Sequence, residues 1–300
     1  MEAERSAVLR VSWQERFAES PGVLKSPRRK QTVVPVRDFS VGGDAFITIA
    51  GPCSVETEHQ VMTTAHHVRS AGARILRGGA FKPRSSPYAF QGHGIEGLKM
   101  LSRARAATGL AIVTEVMSEC DVPLVAEYAD ILQIGSRSME NYALLEAAAQ
   151  SGRPILLKRG MVATVADLLR AAQVILDNGN PNIILCERGI RTFETATRNT
   201  FDVAAIALVK QISHLPIIAD PSHASGHREL VPALARIGVA AGADGLIVEV
   251  HPNPDKAWSD GEQSLTFGEF DDMMDSLEPY LAVRSNTSWK RSEEPLEAVG

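Results

Sequence analysis

Four residues with metal-binding side chains stand at or after the ends of short apolar runs, the last of them in the loop beyond. Cys53 lies in "GPCSVE", His223 in "DPSHASGH", Glu249 in "IVEVHP" and Asp260 in "AWSDGEQS". A thiol, an imidazole and two carboxylates make a mixed S, N, O set suited to a divalent first-row metal such as Mn, Fe, Co or Zn. Each has an ordinary reading as well. Cys53 could be a small buried hydrophobe, His223 a core histidine or helix-cap partner, and Glu249 an ion-pair partner of His251. A second set is cationic: Arg77, Lys82, Arg84, Arg137, Lys158 and Arg188. Arginine matches phosphate and carboxylate with a planar fork, and lysine acts as a point charge. Three of the six sit in "LRGGAFKPRSSPYAFQG" (76–92), where Gly78 and Gly79 would let the backbone approach a ligand closely. Converging cations imply a small, strongly anionic, phosphorylated substrate. A metal beside it suggests polarisation of a carbonyl. Lys158 could instead form a Schiff base, although it serves equally well as an anion contact, and the candidate metal set favours that reading.

These residues need elements to bring them together. Apolar runs alternate with helical patterns along the chain: "FITIA" (46–50), "RILRG" (74–78), "AIVTE" (111–115), "ILQIG" (131–135), "PILLK" (154–158), "IILCE" (183–187), "PIIAD" (216–220) and "GLIVEV" (245–250). Near-continuous apolar runs suit parallel strands buried on both faces. The intervening segments, such as "ENYALLEAAAQSG", show helical spacing and a closing glycine. Eight such pairs predict an α/β fold, the (β/α)8 TIM barrel, with an open doubly wound sheet as the alternative. In a barrel Cys53, Arg77, Lys82, Arg137, Lys158, Arg188, His223 and Glu249 fall on the C-terminal rim, as do Glu115, Glu187 and Asp220. The domains predicted are an N-terminal arm (1–35), a barrel (36–283) with a hairpin turning around Gly42-Gly43, and a polar tail (284–300).

Composition narrows the partners. The net charge of −5 argues against general nucleic-acid binding, so an anion site must be a local pocket. No apolar run is long enough to span a bilayer. The first twenty residues carry four glutamates and no apolar core, unlike a signal or transit peptide. Three cysteines, Cys53, Cys120 and Cys186, do not make a disulfide framework and suggest a reducing cytoplasm. If Cys53 binds metal, oxidation sensitivity is expected.

The motifs carry a resemblance. "IAGPCSVE", "LRGGAFKPRSSPYAFQG", "LQIGSRSMENYALL", "PILLKRGM", "CERGIRTFE", "TRNTFD", "HLPIIADPSHASGHR" and "AAGADGLIVEVHPNPDKAWSDGEQSL" resemble, in order over about residues 33–265, the type I-beta 3-deoxy-D-arabino-heptulosonate 7-phosphate (DAHP) synthases. The resemblance implies condensation of phosphoenolpyruvate with erythrose 4-phosphate, the opening step of the shikimate pathway. It implies metal ligands at Cys53, His223, Glu249 and Asp260. Phosphoenolpyruvate contacts map onto Arg77, Lys82, Glu115, Arg137, Lys158 and Arg188, and erythrose 4-phosphate contacts onto Arg84 and Ser85. Asp220 carries over as a further site residue. Lys82 and Glu115 are expected to hold the attacking water. The family usually reads "KPRTS" and "GAR-N"; this chain has serine at 85 and Ser136 and Ser138 around Arg137. Ser85 retains the hydroxyl, while Ser136 and Ser138 could reshape the carboxylate end. The related 3-deoxy-D-manno-octulosonate 8-phosphate synthases share fold and condensation but carry an "ANRSS"-like loop. A homo-oligomer is expected, with little feedback inhibition by aromatic amino acids. A non-catalytic barrel serving as an assembly partner is the rival from another class.

Overall fold

The computed structural model describes residues 12–82 and 90–285. A two-stranded antiparallel hairpin, β1 (Val34–Val36) and β2 (Phe39–Val41), precedes the main sheet. Its turn is Arg37-Asp38, with Arg37 at φ 52°, and not Gly42-Gly43 as expected. Those glycines, at φ 93° and 76°, instead carry the chain from the hairpin into the barrel. Gly42 also lies against the Thr32 carbonyl, where a Cβ would stand 2.7 Å from the oxygen, so glycine is required on two counts.

Eight parallel strands follow: β3 (Ile47–Gly51), β4 (Ile75–Arg77), β5 (Ala111–Val116), β6 (Ile131–Ile134), β7 (Ile155–Lys158), β8 (Ile183–Glu187), β9 (Ile217–Ala219) and β10 (Gly245–Glu249). The last pairs with both β9 and β3, which closes the barrel and excludes the open sheet. Each predicted run became one strand. The outer layer is built from α2 (Glu58–Ser70), α3 (Ile95–Thr108), α4 (Val122–Tyr128), α5 (Tyr142–Gln150), α6 (Val165–Asp177), α7 (Val203–Ile212), α9 (Val231–Ala240) and α10 (Phe267–Ser276). A short α1 (Trp13–Arg16) opens the described chain. A one-turn α8 (Pro221–Ser225) sits in the loop after β9, and α11 (Glu278–Ser285) ends the described chain. Polar residues start several helices: Thr164 and Asp167 form a reciprocal capping box on α6, and Thr266 and Glu269 another on α10.

The strands alternate between two apolar compartments. Ala50, Leu76, Ile112, Leu132, Leu157, Leu185, Ala219 and Val248 pack outward under the helices. Ile49, Ile75, Val113, Ile131, Leu156, Ile184, Ile218 and Ile247 fill the barrel interior, together with Val34, Val36 and Val41 of the hairpin. The hairpin is therefore a plug for the interior. Because side chains repeat every second residue, two steps beyond these interior positions stand Arg77, Glu115, Gln133, Lys158, Asp220 and Glu249. The apolar layer thus supports a polar layer, at the rim where barrel enzymes carry their chemistry.

Ahead of the hairpin, residues 22–32 are fastened to the barrel. Lys25 N–H donates to the Ile212 carbonyl at 2.8 Å, Thr32 N–H to the His214 carbonyl at 2.6 Å, and Gly22 N–H to Gln173 Oε1 at 2.8 Å. The boundaries expected at 35/36 and 283/284 fall inside β1 and α11, respectively.

Candidate active site

A cavity of about 200 Å³ opens at the C-terminal mouth, and charged side chains dominate its lining. Arg77, Lys82, Glu115, Ser136, Arg137, Lys158, Arg188, His223 and Asp260 all border it. Of the site residues named from sequence, Arg84 and Ser85 lie outside the described residues. Ser138 sits in the turn after β6, its N–H donating to the Gly135 carbonyl at 2.9 Å, away from the lining.

One side of the mouth gathers metal-binding atoms. Donor atoms of Cys53, Glu249 and Asp260 lie within 4.8 Å of one another. The Cys53 thiol donates to Asp260 Oδ2 at 2.9 Å, and Lys82 Nζ donates to Cys53 Sγ at 2.9 Å. His223 joins through Glu249, its Nε2 standing 3.4 Å from Glu249 Oε1. That oxygen is buried with no hydrogen-bond donor among the described residues, although the Arg77 guanidinium stands 3.1 Å away. An orphaned carboxylate oxygen facing an imidazole, a thiol and a second carboxylate fits a divalent cation.

The protonation states agree with that assignment. Burial, and then Glu249, push the Cys53 thiol up to about 12, so without metal it is a neutral thiol. The oxidation sensitivity expected of it does not follow for the metal-free protein, since a buried neutral thiol is inert. Burial lowers the pKa of His223, leaving a neutral imidazole able to ligate. Burial opposes ionisation of Glu249, but His223 and Arg77 outweigh it and hold the carboxylate charged. Asp260 is likewise held well below the usual range, the Cys53 thiol and His223 outweighing burial.

The opposite wall is cationic. Arg188 is only 4% exposed, and its Nε and one terminal nitrogen have no hydrogen-bond partner among the described residues. Burial lowers its pKa, as expected for a cation lacking compensation. Such a side chain at a cavity wall awaits an anion. Lys158 Nζ bonds to Asp220 Oδ2 at 2.5 Å. An ion pair with a fully buried carboxylate suits a fixed cation better than the free amine that a Schiff base needs. Asp220 itself does not line the cavity. It accepts from His223 N–H at 3.0 Å as the N-cap of α8, and lies 2.9 Å from His223 Nδ1. Burial would raise its pKa, yet His223 and Lys158 hold it well below the carboxylate range. Asp220 thus orients the histidine and the lysine together.

Two neighbours form structural pairs. His251 pairs with Glu56, not Glu249, at 3.2 Å. Glu187 is a structural partner of Arg159, whose NH1 also reaches Asp202.

A profile of the DAHP synthetase I family matches residues 26–281. The chain belongs to this family. It is 51% identical over 260 residues to a phospho-2-dehydro-3-deoxyheptonate aldolase of Thermotoga maritima, covering 86% of this chain and 77% of that one. A crystal structure of that T. maritima aldolase (DAHP synthase) superposes with a TM-score of 0.83 at 49% identity, covering 85% of this chain and 75% of that one. A truncated form of the T. maritima synthase gives 0.83 at 44% identity, over 89% and 98%. A 2-dehydro-3-deoxyphosphooctonate aldolase of Acidithiobacillus ferrooxidans is more distant, 33% identical over 251 residues, covering 78% and 88%.

Other residues of this DAHP synthetase I family member enter the site unannounced by motif spacing. Gln133 lines the cavity beside Glu115, its Nε2 3.4 Å from Glu115 Oε2. Its signal was a lone amide on the inward face of an otherwise apolar strand. Met161 and Arg198 also line the cavity, and Gln263 reaches Glu249 from the loop after β10. Nothing in the local pattern set these three apart.

Proposed function

We propose that this chain is a metal-dependent DAHP synthase, condensing phosphoenolpyruvate, erythrose 4-phosphate and water to DAHP and phosphate at the head of the shikimate pathway. The observation that carries this reading is one mouth that combines an orphaned Arg188 with the Cys53, Glu249 and Asp260 donor cluster, in a chain 51% identical to a protein named for the reaction.

Arg77, Arg137, Lys158 and Arg188 hold the phosphate and carboxylate of phosphoenolpyruvate. Arg84 and Ser85 are assigned to the second phosphate, and Ser136 borders the carboxylate end. Cys53, His223, Glu249 and Asp260 hold the cation, whose contribution when bound is Lewis-acid polarisation of the aldehyde. C3 of phosphoenolpyruvate forms the new bond to the aldehyde carbon, and the resulting alkoxide takes up a proton. Water adds at C2 and gives one proton to Glu115. The C2–O bond to phosphorus's bridging oxygen then breaks, the remaining hydroxyl proton leaves with phosphate, and C2 becomes a ketone. A recess of about 10 Å³ lined by Lys82, Glu115 and Gln133 is close to the size of one water. It supports Lys82 and Glu115 as the pair that positions the nucleophile. Burial works against the Lys82 charge, but Cys53 and Glu249 raise its pKa, keeping it an ammonium that donates. Fixed charge and positioning supply most of the rate.

The test is phosphate release with erythrose 4-phosphate and, separately, arabinose 5-phosphate, with and without EDTA. Turnover confined to the four-carbon acceptor and abolished by EDTA is expected. Preference for the five-carbon acceptor would instead place the chain with the octulosonate enzymes. A homo-oligomer working in the cytoplasm is part of the same proposal, and no helix among the described residues is long and apolar enough to cross a membrane.

A further inference from the structure

Each carboxylate of the donor cluster has one oxygen turned inward and the other tied down. Glu249 Oε1 faces His223, while its Oε2 accepts from Gln263 Nε2 at 2.7 Å. Asp260 Oδ2 faces Cys53, while its Oδ1 accepts from Arg198 NH1 at 3.3 Å. The same Arg198 nitrogen donates to Gln263 Oε1 at 2.7 Å. Glu249, Gln263, Arg198 and Asp260 thus form a continuous chain of bonds between the carboxylate that ends β10 and the one in the loop after it. The chain extends to the histidine. Arg198 N–H and Asn199 N–H donate to the carbonyls of Ser225 and Ala224, and Asn199 Nδ2 to the His223 carbonyl at 2.8 Å. Gly226 ends α8 at φ 74° and lies beneath Arg198, where a Cβ would meet the arginine Cβ at 2.5 Å.

The geometry points to Gln263 and Arg198 as positioning residues that decide which oxygen each carboxylate offers to the metal. This rests on the assignment of Cys53, His223, Glu249 and Asp260 as ligands. Gln263 is the stronger member. It is 2% exposed, and its amide donates to Glu249 at one end while accepting from Arg198 at the other. The Arg198–Asp260 pair is partly exposed and weak by itself. Outer hydrogen bonds of this kind orient ligands and set metal affinity by about 10–100-fold.

Manganese binding to the metal-free protein, measured by competition with a chelating dye, tests the inference, with the ligand-field spectrum of the cobalt form as a second readout. Gln263→Glu places a carboxylate against Glu249, and Gln263→Leu removes both bonds. Each is expected to weaken binding about 10–100-fold and to alter the cobalt spectrum. Arg198→Met should weaken it less, and Arg198→Lys should recover part of the loss. Unchanged affinity and spectrum in Gln263 variants that melt like the wild type would overturn the clamp. If those variants fold poorly, unchanged binding by Arg198→Met overturns it equally. Cys53→Ala and Asp260→Ala separate the two levels. Should they bind manganese normally, the ligand assignment itself fails and the clamp with it. Should they lose it while the Gln263 variants do not, only the clamp fails.

Discussion

Glu115 and Gly135 form a matched pair. Gly135 follows β6 and leaves no room for a side chain, since a Cβ there would stand 1.9 Å from Glu115 Oε1. Glycine is therefore needed for the space occupied by the carboxylate and not for its own backbone angle. Gly135→Ala should displace Glu115 and lower kcat with little change in folding, read from steady-state rates beside a thermal melt. Glu115→Gln, which keeps the volume and removes the base, should reduce kcat by about 100-fold or more while KM for phosphoenolpyruvate moves only a few-fold. Unchanged turnover would remove Glu115 from the chemistry. Cys53 yields a pH prediction whose sign is fixed by its neighbours. His223 is neutral and both carboxylates are ionised, so in the proposed ligand set the thiol, pushed up to about 12, carries the one proton that a metal would displace. Metal uptake at pH 7–8 should release about one proton, and affinity should fall about tenfold per unit of decreasing pH. Calorimetric titration in buffers of different ionisation enthalpy would detect that proton, and buffer-independent heats would contradict it.

At the scale of elements, the site depends on strands that begin in register. Asp244 precedes β10 and is fully buried, with both oxygens bonded to Lys210 Nζ and Oδ2 also accepting from Ile217 N–H at 2.9 Å. It fastens β10, β9 and α7 at the end opposite the cavity. Asp244→Ala would leave that strand N–H and the ammonium without their acceptor and should cost about 3 kcal/mol, seen as an earlier urea midpoint. A cheaper change is Thr164→Ala, which removes the capping box of α6 and should cost about 1 kcal/mol. It touches neither cavity nor donor cluster, so turnover should persist.

Over the whole molecule, the barrel concentrates opposed charges in a small volume, which an apolar interior layer and the hairpin plug must stabilise. Burying Arg188 with two of its nitrogens unsatisfied among the described residues is a cost that ligand binding relieves. Phosphoenolpyruvate at about 100 times its Kd should add about 2.7 kcal/mol to stability. Arg188→Met, free of the buried charge, should melt no earlier than wild type without ligand but lose most of that ligand-induced gain. A thermal shift as large as that of wild type would show that the anion binds elsewhere.

The eight strands, their order and the barrel were legible in the chain because buried parallel strands require apolar runs, and eight such runs alternate with helical patterns. Most of the candidate site was legible for a related reason: charged residues interrupt those runs at the upper end, where alternation turns them inward. Local pattern misplaced the hairpin turn, since Gly42-Gly43 looks more turn-like than Arg37-Asp38 although the latter pairs the strands. Only the tertiary structure decided that Asp220 faces His223 and Lys158, that His251 belongs to Glu56, and that Arg198 and Gln263 tie two carboxylates together. Apart from the local cap between Asp220 and His223, those contacts join segments far apart in the chain, and their geometry is set by barrel closure, for which no single stretch of sequence carries a signature.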